Sequence, residues 1–197
     1  RSPEAELEHL AARRALHPLD DVVAHVERVR ARREQLDAEG VRRIFSSIVF
    51  HTWAPVTILS YALDHAVFGM RPSGFHLTNV LLHALCTALL YLLIRRILSP
   101  DDPDAGAPAA AIAAALFAIH PVQVESVAWV AERKNVLGMA LLLGSFLAWL
   151  RATGGRFRPG AYAACLLLLA GALMAKVHAV ILPPLLLVYE WTARPAS

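Results

Sequence analysis

Residues 76–98 read HLTNVLLHALCTALLYLLIRRIL, an apolar run closed by two arginines, and no other feature of the chain restricts its fold so strongly. A helix that crosses a bilayer needs roughly 20 predominantly apolar residues, and this run supplies them. Further apolar runs follow at 109–119, 136–150 and 161–189. With 57% hydrophobic and only 18% charged residues, the chain has too little polar side chain for an ordinary wet surface. The expected class is all-α: a polytopic membrane protein of about four to five embedded helices, preceded by an amphipathic helical segment.

Charge is unevenly placed. Most of the Glu and Arg lie in the first 45 residues, and beyond position 75 charges come only in short clusters between apolar runs. Three regions follow: a polar helical segment over 1–45 at the membrane surface or on a partner, short interfacial helices over 46–75, and a transmembrane module over 76–192. Ser2-Pro3-Glu4 has the chemistry of a helix start, Pro18 ends that helix, Asp20 or Asp21 can cap a second, and Gly40 is the expected stop. The region 46–75 mixes Trp53 and Tyr61 with Pro55, Asp64 and His65, a pattern suited to an interface. Arg1 in place of Met and the lack of a leader pattern imply a processed or partial chain. The net charge of +3 comes from basic residues at segment ends, which argues against a nucleic-acid partner and for membrane lipids.

The run 109–119 is too short to cross alone and is expected to tilt or to extend into the polar stretch after it. The run 161–189 is too long for one span and is interrupted by Lys176, His178 and Pro183-Pro184, so two helices meeting near Lys176 are expected. If segments alternate, Arg95, Arg96, Arg151, Arg156, Arg158 and Arg194 share one side, which the positive-inside rule makes cytoplasmic. Composition hints at a bacterial source, and the expected location is the inner membrane. Arg133 and Lys134 then lie on the wrong side, which implies a task there. Cys86 and Cys165 sit inside Leu/Ala-rich runs and read as small buried residues.

The stretch HPVQVESVAWVAERKNVL, 120–137, interrupts this apolar background. As one helix over 121–136 it would put Glu125, Trp129 and Glu132 on one face with Arg133 beside them. Such a face can orient a sugar hydroxyl and hold a phosphate; it can equally be an interfacial helix with solvated charges. Lys176 costs about 2.5 to 3.5 kcal/mol at the centre of a span, so it has a partner or reaches an interface. The histidines, 51, 65, 76, 83, 120 and 178 among them, show no metal-ligand spacing, and no cofactor is expected. Ligation of a pigment, a haem or a divalent metal by a histidine such as His83 is the minor alternative to a hydrogen-bonded core residue.

The strings WAPVTILSYALD (53–64), FGMRPSGFHLTNVLLHAL (68–85), HPVQVESVAWVAERKNVL (120–137) and LMAKVHAVILPPLLLVYEW (173–191) together resemble the membrane part of bacterial tetratricopeptide-repeat glycosyltransferases. These are similar to the animal transmembrane O-mannosyltransferases of the GT-C class. The resemblance covers about residues 39–192 and implies transfer of a sugar from a polyprenyl-phosphate carrier to an acceptor on the outer side of the membrane. It implies Asp20 or Asp21 as general base on the acceptor hydroxyl, although N-capping explains these acids equally well. It places His120, Glu125 and Arg133, with Glu132 and Lys134 of the same stretch, near the donor, puts Lys176 near its phosphate, and leaves His178 as a further substrate-binding residue. The other reading is a non-catalytic transmembrane subunit whose apolar flanks pack on other membrane proteins.

Overall fold

The computed structural model describes residues 38–46, 53–99, 102 and 104–192, and the elements there are helices. The chain divides into two compact units at Arg43/Ile44. Asp20, Asp21 and most of the polar segment lie outside the described residues. Helix α1 (Ala38–Ser46) runs through Gly40, where a stop was expected. Its Arg43 Nε donates to Glu39 Oε1 at 3.1 Å, one turn back on an exposed face. Arg43 and Glu39 belong to the first unit.

The second unit holds α2 (Pro55–Phe68), α3 (Pro72–Leu98), α4 (Ala107–Ile119), α5 (Gln123–Ala128), a 3-10 turn (Val130–Glu132), α6 (Arg133–Thr153), α7 (Pro159–Ala175), a second 3-10 turn (Val177–Ile181) and α8 (Leu182–Thr192). Proline opens α2, α3, α4 and α7 within the first two positions, where a missing N–H costs nothing. Gly69 ends α2 with φ 63° and returns its N–H to His65 O, a positive-φ conformation that glycine adopts without strain. Pro55 begins a short helix within the region where short helices were expected, and the long span starts at Pro72 rather than His76.

Two segments, Pro72–Leu98 and Val130–Thr153, are long and apolar enough to cross a membrane. Ala107–Ile119, Pro159–Ala175 and Val177–Thr192 are apolar but shorter. The two long helices run parallel. Asn79 meets Arg133 near their beginnings, the Cys86 thiol meets Val136 O further along, and Arg96 reaches the Gly154 loop at their ends. Helix α7 returns antiparallel to α6, with Ser145 Oγ donating to Cys165 O at 2.8 Å. Leu168 seats on Gly144 and Leu141 on Gly171, each about 3.5 Å from where a Cβ would stand, so small residues set the close approach of these helices. The core lies along α6: Leu143, Phe146 and Leu150 pack with Cys86 and Leu93 of α3 and Leu182 and Leu186 of α8.

Candidate functional site

The stretch 120–137 is not one helix. Helix α5 ends at Ala128, Trp129 turns out with φ −85° and ψ 113°, and a 3-10 turn leads into α6. Glu125, Trp129 and Glu132 therefore do not share a helix face. The cause is tertiary. Asn79, fully buried on α3, donates through Nδ2 to Val127 O at 3.2 Å and Trp129 O at 3.3 Å, satisfying carbonyls that a continuous helix would have used internally.

Asn79 is half of a larger arrangement around Arg133, whose side chain is entirely buried. Its Nη1 lies 2.5 Å from Asp64 Oδ2, its Nε donates to Asn79 Oδ1 at 2.8 Å, and its Nη2 donates to Phe75 O at 2.8 Å. The guanidinium stands 4.6 Å from the Tyr61 ring centroid. Thr78 Oγ1 donates to the other Asp64 oxygen at 2.8 Å, and Tyr61 Oη donates to Val130 O at 2.5 Å. Burial pushes the Tyr61 phenol up to about 12, against the lowering effect of Arg133, so it stays protonated as a donor. Arg133, expected near the donor, thus directs its nitrogens to α2 and α3. It ties the start of α6 to both helices.

Beside this network opens a cleft of about 340 Å³. Gln123, Ser126, Asn135, Lys176 and His178 line it with polar groups, Phe117, Met139, Leu142 and Ile181 with apolar ones, and His83 lines it beside Phe117, on which its ring stacks. Along α6, Leu142 lies about 10 Å beyond Asn135, so the part of the lining that this helix contributes passes from polar to apolar. Lys176 is delivered by a break in the chain. Helix α7 stops at Ala175, Lys176 is extended with φ −157° and ψ 128°, and the Thr57 hydroxyl donates to Ala175 O at 3.3 Å. Pro183 and Pro184 then fall in the first turn of α8, where their lack of an N–H is harmless. Lys176 Nζ donates to Asn135 Oδ1. Asn135 Nδ2 donates to Glu132 Oε2 at 2.8 Å and Ser126 Oγ at 3.1 Å, which fixes its amide with the oxygen toward the lysine.

The remaining expected residues are dispersed. Glu132 is half-buried, with its other oxygen 3.3 Å from Lys134 Nζ. Glu125 is exposed over a shallow depression shared with Val124, Ala128 and Trp129. His120 is exposed, and its Nδ1 accepts the Val122 N–H at 3.2 Å. The structure thus brings Lys176 and His178 to one cleft, with Glu132 behind them through Asn135, while His120 and Glu125 do not line it. His83 Nε2 lies 3.1 Å from Ala118 O, its ring stacked on Phe117. Among the described residues no group of three His, Cys, Asp or Glu side chains could hold a metal ion. Sequence reasoning missed Asn135, Gln123, Ser126, Asp64 and Asn79. Of these only Asp64 carried a signal, as an acid in an apolar stretch.

Residues 52–194 match the family of dolichyl-phosphate-mannose-protein mannosyltransferases. Protein O-mannosyl-transferase Tmtc1 of Drosophila melanogaster is 36% identical over 100 residues, 51% of this chain and 11% of its own. Tmtc2 of the same fly is 35% identical over 135 residues, 66% of this chain and 14% of its own. Human TMTC1 is 32% identical over 111 residues, 54% of this chain and 12% of its own. The chain therefore spans less than a fifth of the length of these curated relatives. No solved structure matches it. The family match covers most of the helical unit, including the cleft and the Arg133 network, and the chain belongs to the dolichyl-phosphate-mannose-protein mannosyltransferase family.

Proposed function

We propose that this chain is the donor-binding part of a membrane glycosyltransferase that moves mannose from a polyprenyl-phosphate carrier to an acceptor hydroxyl. The observation that carries the reading is the cleft, where Lys176 and its polar neighbours stand next to a wall formed by Phe117, Met139, Leu142 and Ile181. A lipid-linked phosphosugar has that same division, with an anionic head on an apolar tail. Lys176 engages one acceptor, Asn135, and an ammonium has three donors, so it can also hold a phosphate oxygen. The acceptor hydroxyl gives its proton to Asp20 or Asp21 and attacks the anomeric carbon. The bond from that carbon to the phosphate oxygen breaks, and polyprenyl phosphate leaves with its new charge balanced by Lys176. Glu132 orients Asn135, His178 borders the head, and Arg133 acts by holding the segment in place. His120, Glu125 and Lys134, which do not line the cleft, meet the donor at its rim. In this reading the cleft opens on the outer side, and the Arg-rich end faces the cytoplasm, as the positive-inside rule prefers.

The test is transfer of labelled mannose by the full-length protein in liposomes. Lys176→Met is expected to raise KM for the donor, and Asp20→Asn or Asp21→Asn to abolish turnover with donor affinity kept. A protein that transfers no sugar from any polyprenyl phosphate overturns the reading in favour of a non-catalytic subunit, and transfer that ignores Lys176 overturns the assignment of the cleft as the donor site.

A further inference from the structure

The opposite end of the parallel helices carries a second cluster that the cleft does not use. Arg96 is exposed at the end of α3, Arg151 in the last turn of α6, and Arg156 and Arg158 in the loop that joins α6 to α7. The loop is held to the helices rather than extended from them. Arg158 N–H returns to Ala152 O at 3.1 Å, Gly154 N–H returns to Leu150 O at 2.9 Å, and Arg96 Nη2 lies 3.9 Å from where a Gly154 Cβ would stand. The described acids at this end are Asp104, paired with Arg95 at 3.1 Å, Asp102, whose Oδ1 accepts the Asp104 N–H at 3.2 Å, and Glu190, which accepts the Trp149 indole N–H at 3.1 Å. Between Arg156 and Arg158, Phe157 is 57% exposed, and its ring stands 5.7 Å from that of Tyr162, which in turn is 6.0 Å from Trp149.

We propose that this end is a binding site for the phosphate of an anionic membrane phospholipid, held by Arg96, Arg156 and Arg158. Guanidinium groups favour phosphate through planar, paired donors. An exposed ring set between two of them, backed by Tyr162 and Trp149, belongs at the depth where headgroup meets acyl chain. Each basic side chain near an anionic membrane surface contributes about 1 kcal/mol, so several carried at the same end of the helices, on two helix ends and the loop beside them, discriminate anionic from zwitterionic lipid. The inference rests on the membrane placement of these helices and not on the donor reading.

The full-length protein, stripped of lipid in a neutral detergent, is titrated with phosphatidylglycerol or phosphatidylcholine, and binding is followed by native mass spectrometry. Phosphatidylglycerol is expected to bind more tightly, with affinity falling as salt rises. Arg96→Gln, Arg156→Gln and Arg158→Gln should each weaken it by about fivefold. Arg156→Lys should lose less, and Arg71→Gln, an exposed arginine before the start of α3, should lose nothing. Unchanged melting of the lipid-free variants would show that the fold is intact. Equal binding of the two lipids, equal loss in Arg71→Gln, or displacement of the lipid by inorganic phosphate at matched concentration would overturn the proposal.

Discussion

Arg133 Nη1 stands 2.5 Å from Asp64 Oδ2, with the arginine side chain fully buried and the aspartate nearly so. The pair joins α2 to the start of α6, and Asn79 on α3 completes the junction through Arg133 Nε. A buried ion pair adds little net stability over an apolar equivalent, because desolvation offsets the attraction. What it does enforce is the joint presence of both partners in one place.

Removing one partner alone should therefore be severe. Asp64→Ala leaves a buried guanidinium unpaired and is expected to cost about 3 to 5 kcal/mol. The double variant Asp64→Ala/Arg133→Met should lose much less than the sum of the singles. Thermal unfolding of the four proteins in detergent gives the coupling, and simple additivity would contradict a shared network.

Asn79 should matter for order as much as for stability. Asn79→Leu frees the Val127 and Trp129 carbonyls and one arginine donor, at a cost on the order of 2 kcal/mol. Hydrogen exchange across residues 123–136 should accelerate while α7 stays protected. Uniform acceleration over the whole unit would mean that Asn79 has no local role.

Gly74 sits where α3 turns back along α2, and a Cβ there would overlap Cγ and Cβ of Phe68. Because the clash reaches the base of the ring, rotation of the side chain cannot relieve it cheaply. Gly74→Ala should destabilise by about 1 to 3 kcal/mol, and adding Phe68→Ala should restore part of the loss in the same melting assay.

Tyr61 gives a pH signature. Its phenol is raised from 10.0 to about 12 in the folded state, chiefly by burial. A raised folded pKa contributes stability that is complete below the unfolded value and disappears as pH climbs from about 10 towards 12. The difference in stability between the wild type and Tyr61→Phe should be flat below about pH 10 and shrink above it. A difference that is independent of pH up to 12 would contradict the burial of the phenol.

Particular residues show what was legible beforehand. Lys176 in an apolar run, followed by Pro183-Pro184, announced the break between α7 and α8, and the structure places it there. The arginines at segment ends likewise announced a common end, and Arg96 meets the Gly154 loop, while Arg194 lies outside the described residues. The break at Trp129 was not legible, because no Gly or Pro marks it. It depends on Asn79, whose partner Arg133 lies 54 residues further on. For the same reason Arg133 was assigned to the donor: its charge is visible in the sequence, but the buried Asp64 that takes it is a matter of packing. Asn135 escaped notice because an amide at a helix start looks like any other until Lys176 is brought against it.

The most direct test of the donor cleft is photo-crosslinking with a diazirine-bearing polyprenyl phosphate, mapped by peptide mass spectrometry. The account predicts labels on Met139, Leu142 and Ile181, competed by polyprenyl-phosphate mannose and reduced in Lys176→Met. Labels spread over the exposed faces of α4 and α8, unaffected by competitor or by Lys176→Met, would contradict it.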